Sequence, residues 1–281
     1  MDTIFKRKNV ARCLCKMSVF FSKLSKCPYC LNSDPNLIKY NNNIHSSDKG
    51  LSVHWRNMLW KNNREAYKKL VVHETMAFCS LCKCFYKIEL PSVELLNDIY
   101  ENVYSDQSMG HNRYQSLFHK KEFCTNTLEV GGGKGGISLL CHRPKVAYYN
   151  LDPNSDNMPE NLSTWNIEKL RNVDLLYLRS LNIQNIVACD VIEHLYQPYK
   201  LFELASIVLP AKGKFFLHVG QFHESNPASD GSLIKDQAIN IQVLHLTSAC
   251  SDTIHYMARK YGFHILENET KDRTAFVLQR I

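Results

Sequence analysis

From about residue 110 onward the chain alternates short apolar runs with longer stretches of helical periodicity. Apolar runs bounded by turn-forming residues predict strands at 127–130, 146–151, 186–189, 214–219, 263–266 and 275–279. Apolar positions three and four apart predict helices around 137–142, 199–209 and 252–261. Strands alternating with helices predict an α/β fold, a Rossmann-like, doubly wound, mostly parallel sheet. Upstream, Pro91 opens a segment with Leu95, Leu96, Ile99, Tyr100 and Val103 at helical intervals, with Ser92 as N-cap and Glu94 close behind it. Further back, Trp55, Met58, Leu59, Tyr67, Leu70 and Val71 recur at helical spacing, interleaved with Arg56, Lys61, Arg64, Lys68 and Lys69. That pattern predicts a basic helix with a packed apolar stripe.

The change of pattern near Pro91 divides the chain into a basic N-terminal region, residues 1–90, and a second domain, 91–281. A length of 281 residues suits one large domain and one small one. With 44% hydrophobic residues and interspersed charge the chain is not a disordered one. No run approaches the ~18 apolar residues of a membrane span, so the expectation is a soluble protein. The formal charge of +7 is unevenly placed: residues 1–72 carry 14 basic and 4 acidic side chains, whereas residues 73–281 carry 20 and 23. A basic region of this kind attracts phosphate-bearing or otherwise anionic partners. The bland alternative is a solvated, Lys-rich surface, and the basic residues 1–26 also fit a transit peptide.

The most informative stretch runs Leu128-Glu129-Val130-Gly131-Gly132-Gly133-Lys134-Gly135-Gly136-Ile137. An apolar strand ends in a carboxylate, and a glycine-rich turn leads into a helix, which suits close approach of a nucleotide-like ligand. A P-loop would need Ser or Thr after the lysine, but Gly135 follows Lys134. The dinucleotide spacing G-x-G-x-x-G is met by Gly131, Gly133 and Gly136. Charge separates the remaining ligands, because Glu129 would repel a pyrophosphate and attract a cation. S-adenosylmethionine, with its ammonium and sulfonium, fits better than NAD. Asp152, 23 residues after Glu129 and at the end of the next strand, could accept both ribose hydroxyls. Its alternative is to start the turn Asp152-Pro153-Asn154.

Over residues 91–281 the chain resembles the class I S-adenosylmethionine-dependent methyltransferases, which have a seven-stranded sheet. The glycine block resembles their first motif, and Asp152 their second-strand acid. Asp190-Val191-Ile192-Glu193-His194 with Pro198 is similar to their D-x-x-E-H-x-x-x-P block, and Leu209-Pro210-Ala211-Lys212-Gly213 to the turn before strand five. His245-Leu246-Thr247-Ser248 through Tyr261-Gly262-Phe263 is similar to the last helix and the turn after it. The resemblance implies that Glu129 lies near the methionine ammonium, Gly131, Gly133 and Gly135 pass beneath the ligand, Asp152 takes the ribose and Asp190 lies beside the cofactor. Asp174 is the remaining candidate for the adenine amino group.

Eleven cysteines, an odd number, argue for reduced thiols and a cytoplasmic location rather than a disulfide framework. Cys27 and Cys30, and Cys79 and Cys82, form two C-x-x-C knuckles suited to tetrahedral zinc. Their separation of 48 residues exceeds that of a compact zinc ribbon, and Cys84 could compete as a ligand. Free thiols are the other reading, expected for Cys124, Cys141, Cys189 and Cys250. Methyltransferases with an N-terminal double C-x-x-C module resemble this arrangement, including Ile99-Tyr100 with Tyr104 beyond it.

Methyl transfer to a hydroxyl or carbon acid needs alignment and removal of a proton, and histidine is the natural base. His194 follows strand four. His245 keeps the last His of the Y-H-E-H-L block of zinc-bearing sugar C-methyltransferases, whose Tyr, first His and Glu are replaced here. His218 and His223 are further candidates. The expected activity is methyl transfer to a small hydroxylated or sugar-type acceptor, perhaps nucleotide-linked. The alternatives are an RNA methyltransferase, an NAD-dependent oxidoreductase and a silent binding protein of the same fold.

Overall fold

The computed structural model describes residues 21–33, 40–42, 74–92, 123–133, 135, 137, 145–152, 167–170, 174–220, 222, 245–266 and 273–281. The helices expected near 55–71, 95–103 and 137–142, along with Lys134, Gly136, Cys141 and His223, lie wholly or largely outside those residues.

The strands run β1 Phe21–Lys23, β2 Tyr40–Asn42, β3 Glu74–Phe78, β4 Phe85–Lys87, β5 Glu89–Pro91, β6 Thr127–Val130, β7 Tyr148–Leu151, β8 Ile167–Leu170, β9 Asn185–Cys189, β10 Lys214–His218, β11 Thr247–Ser248, β12 Phe263–Ile265 and β13 Ala275–Arg280. Seven of them form one sheet in the order β12-β13-β10-β9-β6-β7-β8. Strands β6 to β10 pair in parallel, and β13 lies antiparallel to both β10 and β12. The sheet is therefore mixed. β8 was not expected from the sequence: Ile-Glu-Lys-Leu is a polar-centred edge strand without the apolar run that marks its neighbours.

Buried runs such as Asn185–Cys189 in β9 reflect a sheet covered on both faces. Three helices among the described residues accompany it: α1 Leu175–Ser180, α2 Tyr199–Val208 and α3 Ser251–Lys260. α2 turns Leu201, Phe202, Leu204, Ala205 and Val208 inward. α3 turns in Thr253, Ile254, Met257 and Ala258, with Cys250 and Thr253 forming its capping box. Asp174 caps α1, its Oδ1 accepting from the Leu176 and Tyr177 N–H groups at 3.0 and 3.1 Å.

The cysteine-bearing segment builds a second sheet, β11-β4-β3-β2, and a separate β1–β5 pair. Its fourth strand comes from residues 247 and 248, so the two halves of the sequence share a sheet. A single apolar cluster runs from Cys27, Tyr29 and Tyr86 through Leu128 and Phe202 to Leu278.

Candidate active site

β6 and β9 are neighbours, yet the chain runs from β6 outward through β7 and β8 before returning to β9. Their carboxyl ends flank the point where the strand order reverses, the place where open α/β sheets bind ligands. The glycine loop leaves β6 here. Gly131, Gly133 and Gly135 have φ of 69°, 50° and 84°, a region that a side chain rarely adopts. A Cβ on Gly131 would also lie 2.5 Å from a Val191 methyl, which shows how closely the loop approaches the end of β9.

Two acids secure the loop from below. Glu129 Oε2 accepts the Ile137 N–H at 3.3 Å and the Tyr148 hydroxyl. Burial pushes its carboxyl up to about 7, against the lowering effect of these two donors. Asp152 Oδ2 accepts the Gly133 N–H at 2.9 Å, and Asn150 Nδ2 donates to the Gly133 carbonyl at 3.0 Å. Asp190 ends β9 with φ of 53°, a strained value for a residue with a side chain. Its Oδ1 stands 2.7 Å from His218 Nδ1, and His218 Nε2 stands 3.0 Å from Thr274 Oγ1. Both ring nitrogens of His218 are thus engaged, and the imidazole braces the Asp190 carboxylate.

A second group of side chains lies beside Asp190. The turn Ile192–His194 is tied to the segment before β11 by the Leu246 N–H, which donates to the Glu193 carbonyl at 2.7 Å. This brings His194 and His245 together edge to face, with ring centroids 4.6 Å apart. Glu193 joins them, and the donor atoms of all three lie within 4.8 Å of one another. A Cβ on Gly220 would fall 2.2 Å from Glu193 Oε1 and 2.5 Å from Asp190 Oδ1, so only glycine leaves room for both carboxylates. Burial lowers His245 to about 3, helped by positive charge at His194 and Lys87 and opposed by Asp190. His245 is thus a neutral imidazole across the physiological range.

Sequence reasoning assigned no role to Glu193 or Lys87. Glu193 stood in the D-x-x-E-H block; Lys87, buried in β4, left no local signal, because its proximity to His245 arises from pairing between distant segments.

The four knuckle cysteines, Cys27, Cys30, Cys79 and Cys82, converge despite the long insert, their sulfurs within 4.8 Å of one another and all four residues buried. The two knuckles have matching backbones. Leu31 N–H donates to the Cys27 carbonyl at 2.9 Å and Lys83 N–H to the Cys79 carbonyl at 2.7 Å, with Leu31 and Lys83 at φ of 64° and 62°. The Cys27–Cys82 and Cys30–Cys79 sulfur separations of 3.5 Å are far longer than a disulfide bond. They are close to the ~3.8 Å expected around a tetrahedral ion with ~2.3 Å bonds to sulfur. Cys84 is a fifth thiol, its sulfur 3.4 Å from that of Cys27. Thiols of Cys30, Cys79, Cys82 and Cys84 donating to Cys27 hold it well below the usual thiol range, whereas burial drives Cys84 well above it. Four cysteine sulfurs this close together are a donor set that suits a soft divalent ion.

The strand order and the antiparallel β13 make this a methyltransferase-like α/β fold with a mixed sheet. No protein family model and no curated protein matches the chain. Among solved structures it is similar to the pyocyanin biosynthetic protein PhzM, at 16% identity over 56% of this chain and 50% of that one, with a TM-score of 0.42. It is also similar to the mitomycin 7-O-methyltransferase MmcR, at 12% identity over 66% and 56%, with a TM-score of 0.44. The YcgJ protein of Bacillus subtilis matches at 16% identity over 53% and 70%, with a TM-score of 0.39. The match thus spans about half the length of the first two.

Proposed function

We propose that the chain is an S-adenosylmethionine-dependent methyltransferase acting on a small hydroxylated or sugar-type acceptor. The reading rests on one observation above all. Three glycines in left-handed conformation and three carboxylates, Glu129, Asp152 and Asp190, gather at the reversal point of the sheet. That lining suits a ligand that is cationic and carries ribose, and it disfavours the pyrophosphate of NAD.

When bound, S-adenosylmethionine supplies an electrophilic methyl group on a sulfonium. Glu129 fits its ammonium: a buried carboxyl poised near neutrality becomes fully ionised when a cation arrives. The loop glycines let the backbone pass beneath the ligand, Asp152 accepts from the ribose hydroxyls, and Asp190, held by His218, faces the reacting end. The acceptor lies against the His194–His245 pair. Its hydroxyl donates to neutral His245 and loses its proton at the pair as it attacks in line. Cys27, Cys30, Cys79 and Cys82 hold a structural zinc ion, and residues 1–90 form the zinc-bearing module that completes the acceptor side. The basic excess in that region favours an anionic acceptor.

Calorimetry with S-adenosylhomocysteine and with NAD tests the reading. Saturable binding of the first and none of the second is expected; the reverse result, or binding of neither by the zinc-loaded protein, overturns it.

A further inference from the structure

The cluster of Glu193, His194 and His245 suits more than direct proton removal. Three donors of two kinds, one carboxylate oxygen and two imidazole nitrogens, lie within 4.8 Å of one another. They come from segments about fifty residues apart, and the backbone bond from Leu246 to Glu193 holds those segments in place. Glu193 and His245 are buried, whereas His194 is partly open, so the cluster has a walled side and an approach side. Two imidazoles and one carboxylate with positions left open are the donor set of mononuclear first-row centres.

Among the described residues, the charges facing the cluster are Glu193 itself, Asp190 across Gly220, and Lys87 near His245, with His218 behind Asp190. Two carboxylates thus bring negative charge to this end of the cluster, and Lys87 brings positive charge beside His245. Lys87 is also the group that a dication would have to displace or tolerate.

We propose that Glu193, His194 and His245 form a second metal site, distinct from the cysteine cluster, which binds a divalent first-row cation and through it an acceptor that chelates by two oxygens. Vicinal diols, catechols and α-hydroxy acids belong to that class. The proposal rests on the methyltransferase reading for the use of the site, though not for its existence. With the ion bound, the imidazoles hold it, and this replaces proton removal at the His194–His245 pair. An acceptor hydroxyl held on the ion gives its proton to water, and its oxygen forms the bond to the methyl carbon. The carbon–sulfur bond breaks with its electron pair left on S-adenosylhomocysteine.

The test uses the full chain with its cysteine site already loaded with zinc and titrates Mn2+, a cation with low affinity for thiolates, by electron paramagnetic resonance. One saturable site per chain is expected. His245→Gln and, separately, Glu193→Gln should each weaken it at least ~10-fold, while Lys87→Met should tighten it. Absence of a saturable site, or an affinity that none of the three substitutions moves, overturns the proposal. Should one ligand variant fail to fold, the other ligand variant and Lys87→Met still decide the matter. S-adenosylhomocysteine calorimetry on the same sample separates the two readings. Nucleoside binding without Mn2+ binding sinks the metal site alone, and Mn2+ binding without nucleoside binding sinks the methyltransferase assignment alone.

Discussion

On the proposed function, Glu129 couples ligand, pH and stability in one residue. Its carboxyl is raised from 4.5 to about 7 by burial, so between those values the folded protein holds a proton that the unfolded chain has lost. Stability should therefore fall as pH rises from 4.5 to 7, by roughly 3 kcal/mol in all, and level off above. Affinity for S-adenosylhomocysteine should move the other way, rising toward pH 7 as the carboxylate ionises. Urea melts and calorimetry across this range check both, and Glu129→Gln should flatten both profiles. The glycines offer a contrast at the same scale. Gly131→Ala meets Val191 at 2.5 Å as well as an unfavourable φ, whereas a Cβ at Gly133 meets nothing within 4 Å. The expected outcome is loss of nucleoside binding for the first, as the loop is displaced, and for the second a stability cost of about 1–2 kcal/mol from its φ, with binding weakened only as far as the methyl group crowds the ligand. Legibility in the sequence follows the same division. The loop glycines and Asp152 could be read because strand, turn and acid are local, whereas Glu193 and Lys87 acquire meaning only from neighbours far along the chain.

β11 is two residues long, yet it carries the junction between the cysteine sheet and the large sheet. Thr247 pairs with Tyr86 and Ser248 with Phe85, and Lys87 N–H donates to the Leu246 carbonyl at 2.9 Å. Tyr29, in the first knuckle, stands 3.2 Å through its hydroxyl from Thr247 Oγ1, with both residues buried. Tyr29→Phe should cost about 1 kcal/mol and leave Thr247 without that contact. Because His245 lies immediately before β11, the same substitution should lower turnover more than cofactor affinity, which kinetics and calorimetry together resolve. No sequence pattern marks so short a strand. Its partner β4 lies about 160 residues away in the chain, and β8 carries no apolar run either, because an edge strand needs none.

The continuous core predicts how the whole molecule responds to metal. Since Cys27, Tyr29 and Tyr86 belong to the same apolar cluster as Leu128 and Leu278, the cysteine module and the large sheet should unfold together. Scanning calorimetry should show one transition that shifts down on chelation. Cys79→Ser should lower zinc stoichiometry and the transition temperature in parallel, and two independent transitions would contradict the shared core. The charge asymmetry belongs at this scale as well. Neutralising Arg64, Lys68 and Lys69 should weaken binding of an anionic acceptor and spare the cofactor, because Glu129, Asp152 and Asp190, proposed to surround the cofactor, belong to the other part of the chain.

By itself the sequence determined the alternation of strands and helices, the glycine turn with its flanking acids and the two cysteine knuckles. Each of these is written in residues close enough for periodicity and spacing to reveal them. Only the tertiary structure decided that the knuckles close across their long insert and that β11 joins the two sheets. It also decided that Asp174 caps a helix, that His218 braces Asp190, and that Glu193, His194 and His245 converge. These outcomes depend on which distant segments become neighbours, and burial then sets the charge of Glu129 and His245. Contacts between distant segments are made by packing, and they leave no period in the chain.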